Sequence, residues 1–181
     1  MNIYIIAGPP GIGKSTSGYR FIPENVPIID QDLAANHYKK EGFGDYQNLA
    51  TLKSNQQIKD FLFSNHDFAL ELNLGFPSHY EYLKSIAKFN PQNKVHLILF
   101  YTENIEFCLI RAETRFKNGG HLVKPEIVSE MFKETIPLLK ANLTIFTTFR
   151  FVNISNTEIE EVSPNKIPNY LKEEDLAKLI S

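Results

Sequence analysis

MNIYIIAGPPGIGKST, residues Met1–Thr16, is the stretch that decides the fold. Its apolar run from Ile3 to Ala7 reads as a short buried strand. Residues Gly8-Pro9-Pro10-Gly11-Ile12-Gly13-Lys14-Ser15 then fit G-x-x-x-x-G-K-[ST]. From Ser15 the chain can continue as a helix to Phe21, until Pro23 ends it. Strand, glycine-rich loop and helix in that order are the context this motif requires.

The chemistry of such a loop is that of a phosphate cradle. Its glycines let the backbone curl so that several N–H groups converge on phosphate oxygens with no Cβ in the way. The helix that follows presents its partial positive end to the same point. Lys14 is expected to place a mobile point charge at the β- and γ-phosphates, and the Ser15 hydroxyl to ligate Mg²⁺. Gly8, Pro9, Pro10, Gly11, Ile12, Gly13, Lys14, Ser15 and Thr16 are thus the candidate ATP-binding residues, with ATP and Mg²⁺ as the expected cofactors.

Working outward, 181 residues suggest one domain with a sizeable core. The composition, 43% hydrophobic and 22% charged, is that of an ordinary globular protein. A net charge of -2 argues against a broad nucleic-acid surface, which needs clustered Lys and Arg. Cys108 has no cysteine partner and sits in the apolar run IEFCLIR, which reads as a buried thiol in a reducing compartment. With no apolar run of membrane-spanning length and no charged leader at the N-terminus, the expectation is a cytoplasmic protein without membrane partners.

Further strand-like runs are Val26–Asp30, Asp67–Leu72, Lys94–Tyr101 and Phe149–Ile154. Helix-like segments lie between them: Asp32–Lys40, Asn48–Asn65, Ser78–Phe89, Ile105–Phe116, and Pro125 to about Ala141. Pro125 suits a first helical position, whereas Pro137 is expected to kink or end that last helix. The alternation predicts an α/β fold, a mostly parallel sheet with helices on both faces. Residues 163–181 carry two prolines and a short amphipathic pattern that either packs on the body or touches a partner.

Ligands of such sheets bind beyond the carboxyl ends of the strands, so the residues placed there become the candidates. Asp30 closes the second strand and Asp32 follows two residues later. Either can cap the next helix; beside a nucleotide, either can also accept the proton of an attacking hydroxyl or help hold Mg²⁺. Glu71 lies in FALELNL, where an ionised carboxylate must be paired or solvated, and Asn73 is its neighbour at the same strand end. The fourth strand ends at Tyr101-Thr102 without an acid, which counts against a motor or a helicase and leaves the metal to Ser15 and the Asp30/Asp32 pair. Arg111 and Arg115 are i, i+4 on one helix that Gly119-Gly120 breaks. They read as a small lid over phosphates, or as solvated arginines with Glu113 nearby; His121 follows as a further candidate contact.

Taken together, GPPGIGKST, IIDQD, LELNL and RAETRFKNGGHLV resemble the zeta-toxin-type kinase family of phosphate-loop proteins over about residues 1–155. The resemblance implies a three-layer P-loop kinase fold with an arginine-bearing lid, and transfer of the ATP γ-phosphate to a sugar hydroxyl of UDP-N-acetylglucosamine. It implies Asp32 as general base, Lys14 and Ser15 on the phosphates and Mg²⁺, Glu71 on the uridine-sugar substrate, and Arg115, with Arg111, stabilising the transferring phosphoryl group. Asp30, Asn73 and His121 remain further substrate-contact candidates from their places in the chain, and Lys14 and Arg115 join Asp32 as the candidate catalytic residues. Two departures stand out. The family's downstream lid arginine is absent from the stretch Met131-Phe132-Lys133, and a family Asp-Asn-Ser run reads Asn153-Ile154-Ser155. A kinase of another small metabolite and a catalytically silent ATP-binding module therefore stay open. No residue points to an antitoxin-like protein partner.

Overall fold

The computed structural model describes residues 1–120, 122–155 and 158–180. Its centre is a six-stranded sheet in the order β2-β3-β1-β4-β5-β6. The strands are β1 (Asn2–Ala7), β2 (Ile28–Ile29), β3 (Phe68–Leu72), β4 (Lys94–Tyr101), β5 (Thr148–Ser155) and β6 (Glu158–Glu161). The first five run parallel, and only β6 is antiparallel, against β5. The helices are α1 (Lys14–Ser17), α2 (Gln31–Lys40), α3 (Tyr46–Ser64), α4 (Pro77–Ala87), α5 (Ile105–Lys117), α6 (Pro125–Ala141) and α7 (Asn169–Glu173). No helix among the described residues is long and apolar enough to cross a membrane.

Both faces of the sheet are buried, which is why β1 and β4 read as near-continuous apolar runs. Ile3, Ile5, Phe68, Leu70, Leu97, Leu99 and Phe151 form one layer with Tyr80 and Leu83 of α4 and Ile136 and Leu139 of α6. Ile6, Ala69, Ile98, Phe100, Val152 and Ile154 form the other with Ile12, Phe21, Cys108, Ala112 and Val128. Tyr170, Leu171 and Leu176 place the C-terminal segment against the first layer, and Glu103 Oε1 accepts hydrogen bonds from the Asn169 and Tyr170 amides.

Three elements depart from the sequence expectation. The helix after the loop is one turn long and passes at Gly18 into a 3-10 turn that ends at Phe21. Gly18 is a poor helix former, and it lies against Ile6 so closely that a Cβ would come within 2.7 Å of Ile6 Cγ2. Helix α6 runs through Pro137 to Ala141. The missing hydrogen bond costs about 3 kcal/mol, and burying Ile136 and Leu139 on either side returns a comparable amount. Strand β6 escapes a hydrophobicity reading because its sequence is EIEE. It pairs through Ile154↔Ile159 and Val152↔Glu161, and the Arg150 guanidinium grips both Glu161 oxygens at 2.7 and 2.6 Å. Its row of carboxylates also blunts the sheet edge against pairing with another chain.

Candidate active site

The register sets the site. Ile6 pairs with Glu71 and Ala7 with Leu72, so the loop leaving β1 begins beside the acid of β3. Ile29 pairs with Leu70, which brings Asp30 level with Glu71. Helix α5 closes the arrangement by crossing directly over the loop. At Gly11, whose φ is +82°, a Cβ would stand 2.3 Å from the Cys108 carbonyl oxygen, so only glycine fits beneath that helix. Burial pushes the Cys108 thiol up to about 11, and it stays a packed thiol.

Within the loop, Ile12 N–H bonds to Pro9 O, while the Thr16 and Ser17 amides bond to Gly13 O. The Gly11, Gly13, Lys14 and Ser15 amides have no backbone partner among the described residues, and these four residues line a cavity of about 340 Å³. Thr16, Glu71, Arg111, Thr114, Arg115 and Asn118 complete its wall. With α1 only four residues long, the donors this cavity presents are the free amides rather than the end of a long helix dipole.

Lys14 is not the mobile charge the motif suggests. It is buried, and its Nζ donates to Gly8 O at 2.8 Å, Pro9 O at 3.2 Å and Asn73 Oδ1 at 2.9 Å. Burial lowers its pKa, partly offset by the negative charge of Glu71. Glu71 accepts a 2.8 Å hydrogen bond from the Ser15 hydroxyl, and burial raises its carboxyl from 4.5 to about 7 against the pull of Lys14. The acid that reaches Ser15 thus comes from β3, not from the acid-free end of β4.

Asp30 and Asp32 divide their work. Asp30 Oδ1 accepts from the Leu33 amide at 2.9 Å and caps α2. Asp32, one residue inside the helix, is exposed and faces Arg115, with its Oδ2 4.0 Å from a guanidinium nitrogen. Arg115 Nε is buried without a partner among the described residues. Arg111 lies over the Phe107 ring at 5.0 Å, beside Gly13. Glu113 pairs with Lys117 and not with either arginine. Gly119, with φ +86°, ends α5 in a Schellman cap: its amide bonds to Phe116 O and the Gly120 amide to Arg115 O, both at 2.9 Å. That cap fixes the backbone from which Arg115 projects.

Thr114 and Asn118 were missed as cavity residues, although they stand three and seven positions after Arg111, on the same helical stripe. His121 lies outside the described residues. Met131, in the stretch where the family's second lid arginine is absent, is buried against Gly75. The oxygen donors Ser15 and Glu71 suit Mg²⁺, and Asp30 stands level with Glu71. No group of three or more His, Cys, Asp or Glu that could hold a metal occurs among the described residues. A second cavity, of about 640 Å³, opens where α5 begins, lined by Thr102, Asn104, Phe107, Asn153 and Ser155 among others.

No family model and no curated protein sequence matches the chain. Solved structures do. A chain from the PezAT chromosomal toxin–antitoxin system of Streptococcus pneumoniae is 18% identical with a TM-score of 0.62, over 100% of this chain and 77% of that one. A structure described as that of a candidate kinase of Chloroflexus aurantiacus is 14% identical with a TM-score of 0.62, over 99% and 98%. The AvrRxo1-ORF1:-ORF2 structure with ATP is 13% identical with a TM-score of 0.66 and is matched by 89% of this chain, which spans 56% of that chain's length. The zeta-toxin likeness drawn from the residues therefore extends to the fold, and the chain carries the mostly parallel α/β architecture of these structures.

Proposed function

We propose that this chain is an ATP-dependent kinase that transfers the γ-phosphoryl group to a hydroxyl of a small acceptor. The observation that carries the reading is the convergence of the free loop amides, Lys14, Ser15, Glu71 and Arg115 on one cavity, with Asp32 facing Arg115. Phosphoryl transfer needs charge placement more than covalent chemistry, and this wall consists of donors and cations around a few carboxylates. Lys14 and Arg115 would stabilise charge on the transferring group, while Asp32 would accept the acceptor's proton. Ser15 and Glu71 would hold Mg²⁺, with Asp30 beside them; when bound, the ion neutralises phosphate charge. Phe107 and Arg111 stack along α5 and border the two cavities, so the nucleoside end would lie toward Asn104 and Asn153.

UDP-N-acetylglucosamine is the acceptor to which the residue resemblance points, and a sugar or nucleoside would use the same residues. A partner protein enters the reading because the PezAT and AvrRxo1 structures are of two-component assemblies. Met131 favours a second reading: with that side chain packed on Gly75, no second lid guanidinium comes from this position, as a silent ATP-binding module would have it. The deciding experiment measures ADP release from MgATP with and without UDP-N-acetylglucosamine, followed by mass analysis of the acceptor and a wider acceptor screen. A phosphorylated acceptor with wild-type protein, and a loss of about 10²–10⁴-fold in Asp32→Asn at near-unchanged ATP affinity, is the expected result. Equal turnover by Asp32→Asn removes Asp32 from the mechanism, and ATP binding without turnover on any acceptor favours the silent module.

A further inference from the structure

An ammonium group has three protons, and in Lys14 all three are already spent. A phosphate oxygen can reach Nζ only if one of the three acceptors lets go. Two of them, the Gly8 and Pro9 carbonyls, belong to the loop backbone. That backbone is wedged between β4 and α5: a Cβ on Gly8 would stand 2.2 Å from Phe100 O, and one on Gly11 2.3 Å from Cys108 O. The third acceptor is a side chain with two rotatable bonds, on the partly open side of the lysine and two residues beyond Glu71.

The segment carrying Asn73 is held in place. Leu74, directly after it, is fully buried at φ +53°, a left-handed conformation unusual for a branched side chain. Gly75 abuts α6, where a Cβ would come within 2.5 Å of Met131 Cβ. The Phe76 amide donates to His79 Nδ1 at 3.3 Å. A buried leucine in the left-handed region costs energy and persists only because the packing around it holds it there, and that packing fixes the point from which Asn73 reaches Lys14.

We infer that Asn73 is a latch on Lys14: it holds the ammonium turned inward and is displaced when a phosphate takes its place. The inference rests on the reading that this cavity takes a nucleoside triphosphate. Asn73 then acts as a positioning residue that competes with the ligand, so removing it helps nucleotide binding. A residue that merely shaped the cavity, or touched the nucleotide, would do the opposite.

Calorimetric titration of the full chain with ATP and Mg²⁺ tests this, after thermal melts have established that each variant folds. Asn73→Ala lets water replace the amide, and ATP affinity is expected to rise about three- to tenfold. Asn73→Asp puts a carboxylate on the ammonium, and affinity is expected to fall by at least a similar factor. Asn73→Ser, too short to reach Nζ, stands in for the alanine variant if that one does not fold. ATP affinity that is unchanged or weaker in Asn73→Ala, or in Asn73→Ser in its place, overturns the latch while leaving the nucleotide site standing. Failure of the wild-type protein to bind ATP sinks the kinase reading, and the latch with it.

Discussion

Replacing Glu71 by Gln should make the nucleotide-free protein more stable at neutral pH while costing it function. Burial raises the Glu71 carboxyl from 4.5 to about 7, against the attraction of Lys14. A group whose folded pKa lies above its unfolded one stabilises the fold in its protonated form. The contribution is fully present below the unfolded value, declines as pH rises, and is gone above about 7. At about 1.4 kcal/mol per pKa unit, ionised Glu71 costs the fold about 3 kcal/mol above that point. Gln removes the ionisation and keeps an oxygen to accept from the Ser15 hydroxyl. The pull of Lys14 is already contained in that shift, so the expected gain is about 2–3 kcal/mol. For a chain of this length that is a Tm rise of about 4–12 °C. Urea melts at about pH 8 and about pH 5, without nucleotide or Mg²⁺, provide the assay. The variant's advantage should appear at the higher pH and shrink by more than half at the lower. A variant less stable than wild type at the higher pH, or a difference that ignores pH, would refute this account of Glu71.

Two further outcomes follow from the same geometry. Gly11→Ala places a methyl group 2.3 Å from Cys108 O at a φ of +82°, so α5 must move; a stability loss of about 2 kcal/mol or more is expected by denaturant titration, and a neutral result would mean that α5 does not lie on the loop. Arg115→Lys keeps the charge but loses the planar fork; kcat should fall at least about tenfold while KM for ATP moves little, and a pure KM effect in steady-state kinetics would make Arg115 a ground-state contact.

Local signals made much of this protein legible from its sequence. The apolar run of β1, the glycine loop and Lys14-Ser15 lie within one stretch of chain, so their meaning depends on neighbours the sequence itself supplies. The strand–helix alternation did the same for β1 to β5, because apolar runs and capping residues are local features. Strand β6 was hidden because its pairing rests on Arg150 and a register with β5, not on its own hydrophobicity. Helix α6 crosses Pro137 because packing on the sheet outweighs a local defect.

The site divides along the same line. Sequence named Lys14, Ser15, Asp32, Glu71 and Arg115 as candidates, from the loop motif, the strand ends and an arginine pair on one helix. It could not say which candidate touches which, since the partners come from α1, β3, α2 and α5, and only the strand order and the crossing of α5 over the loop bring them together. Glu71 meets Ser15 because β3 lies beside β1, and Asn73 takes the third proton of Lys14 because Leu74 and Gly75 hold its loop in place. Sequence by itself determined that a phosphate loop opens a mostly parallel α/β chain. The tertiary structure alone decided how its charges are paired, because hydrogen bonds between residues about sixty positions apart depend on sheet register rather than on local composition.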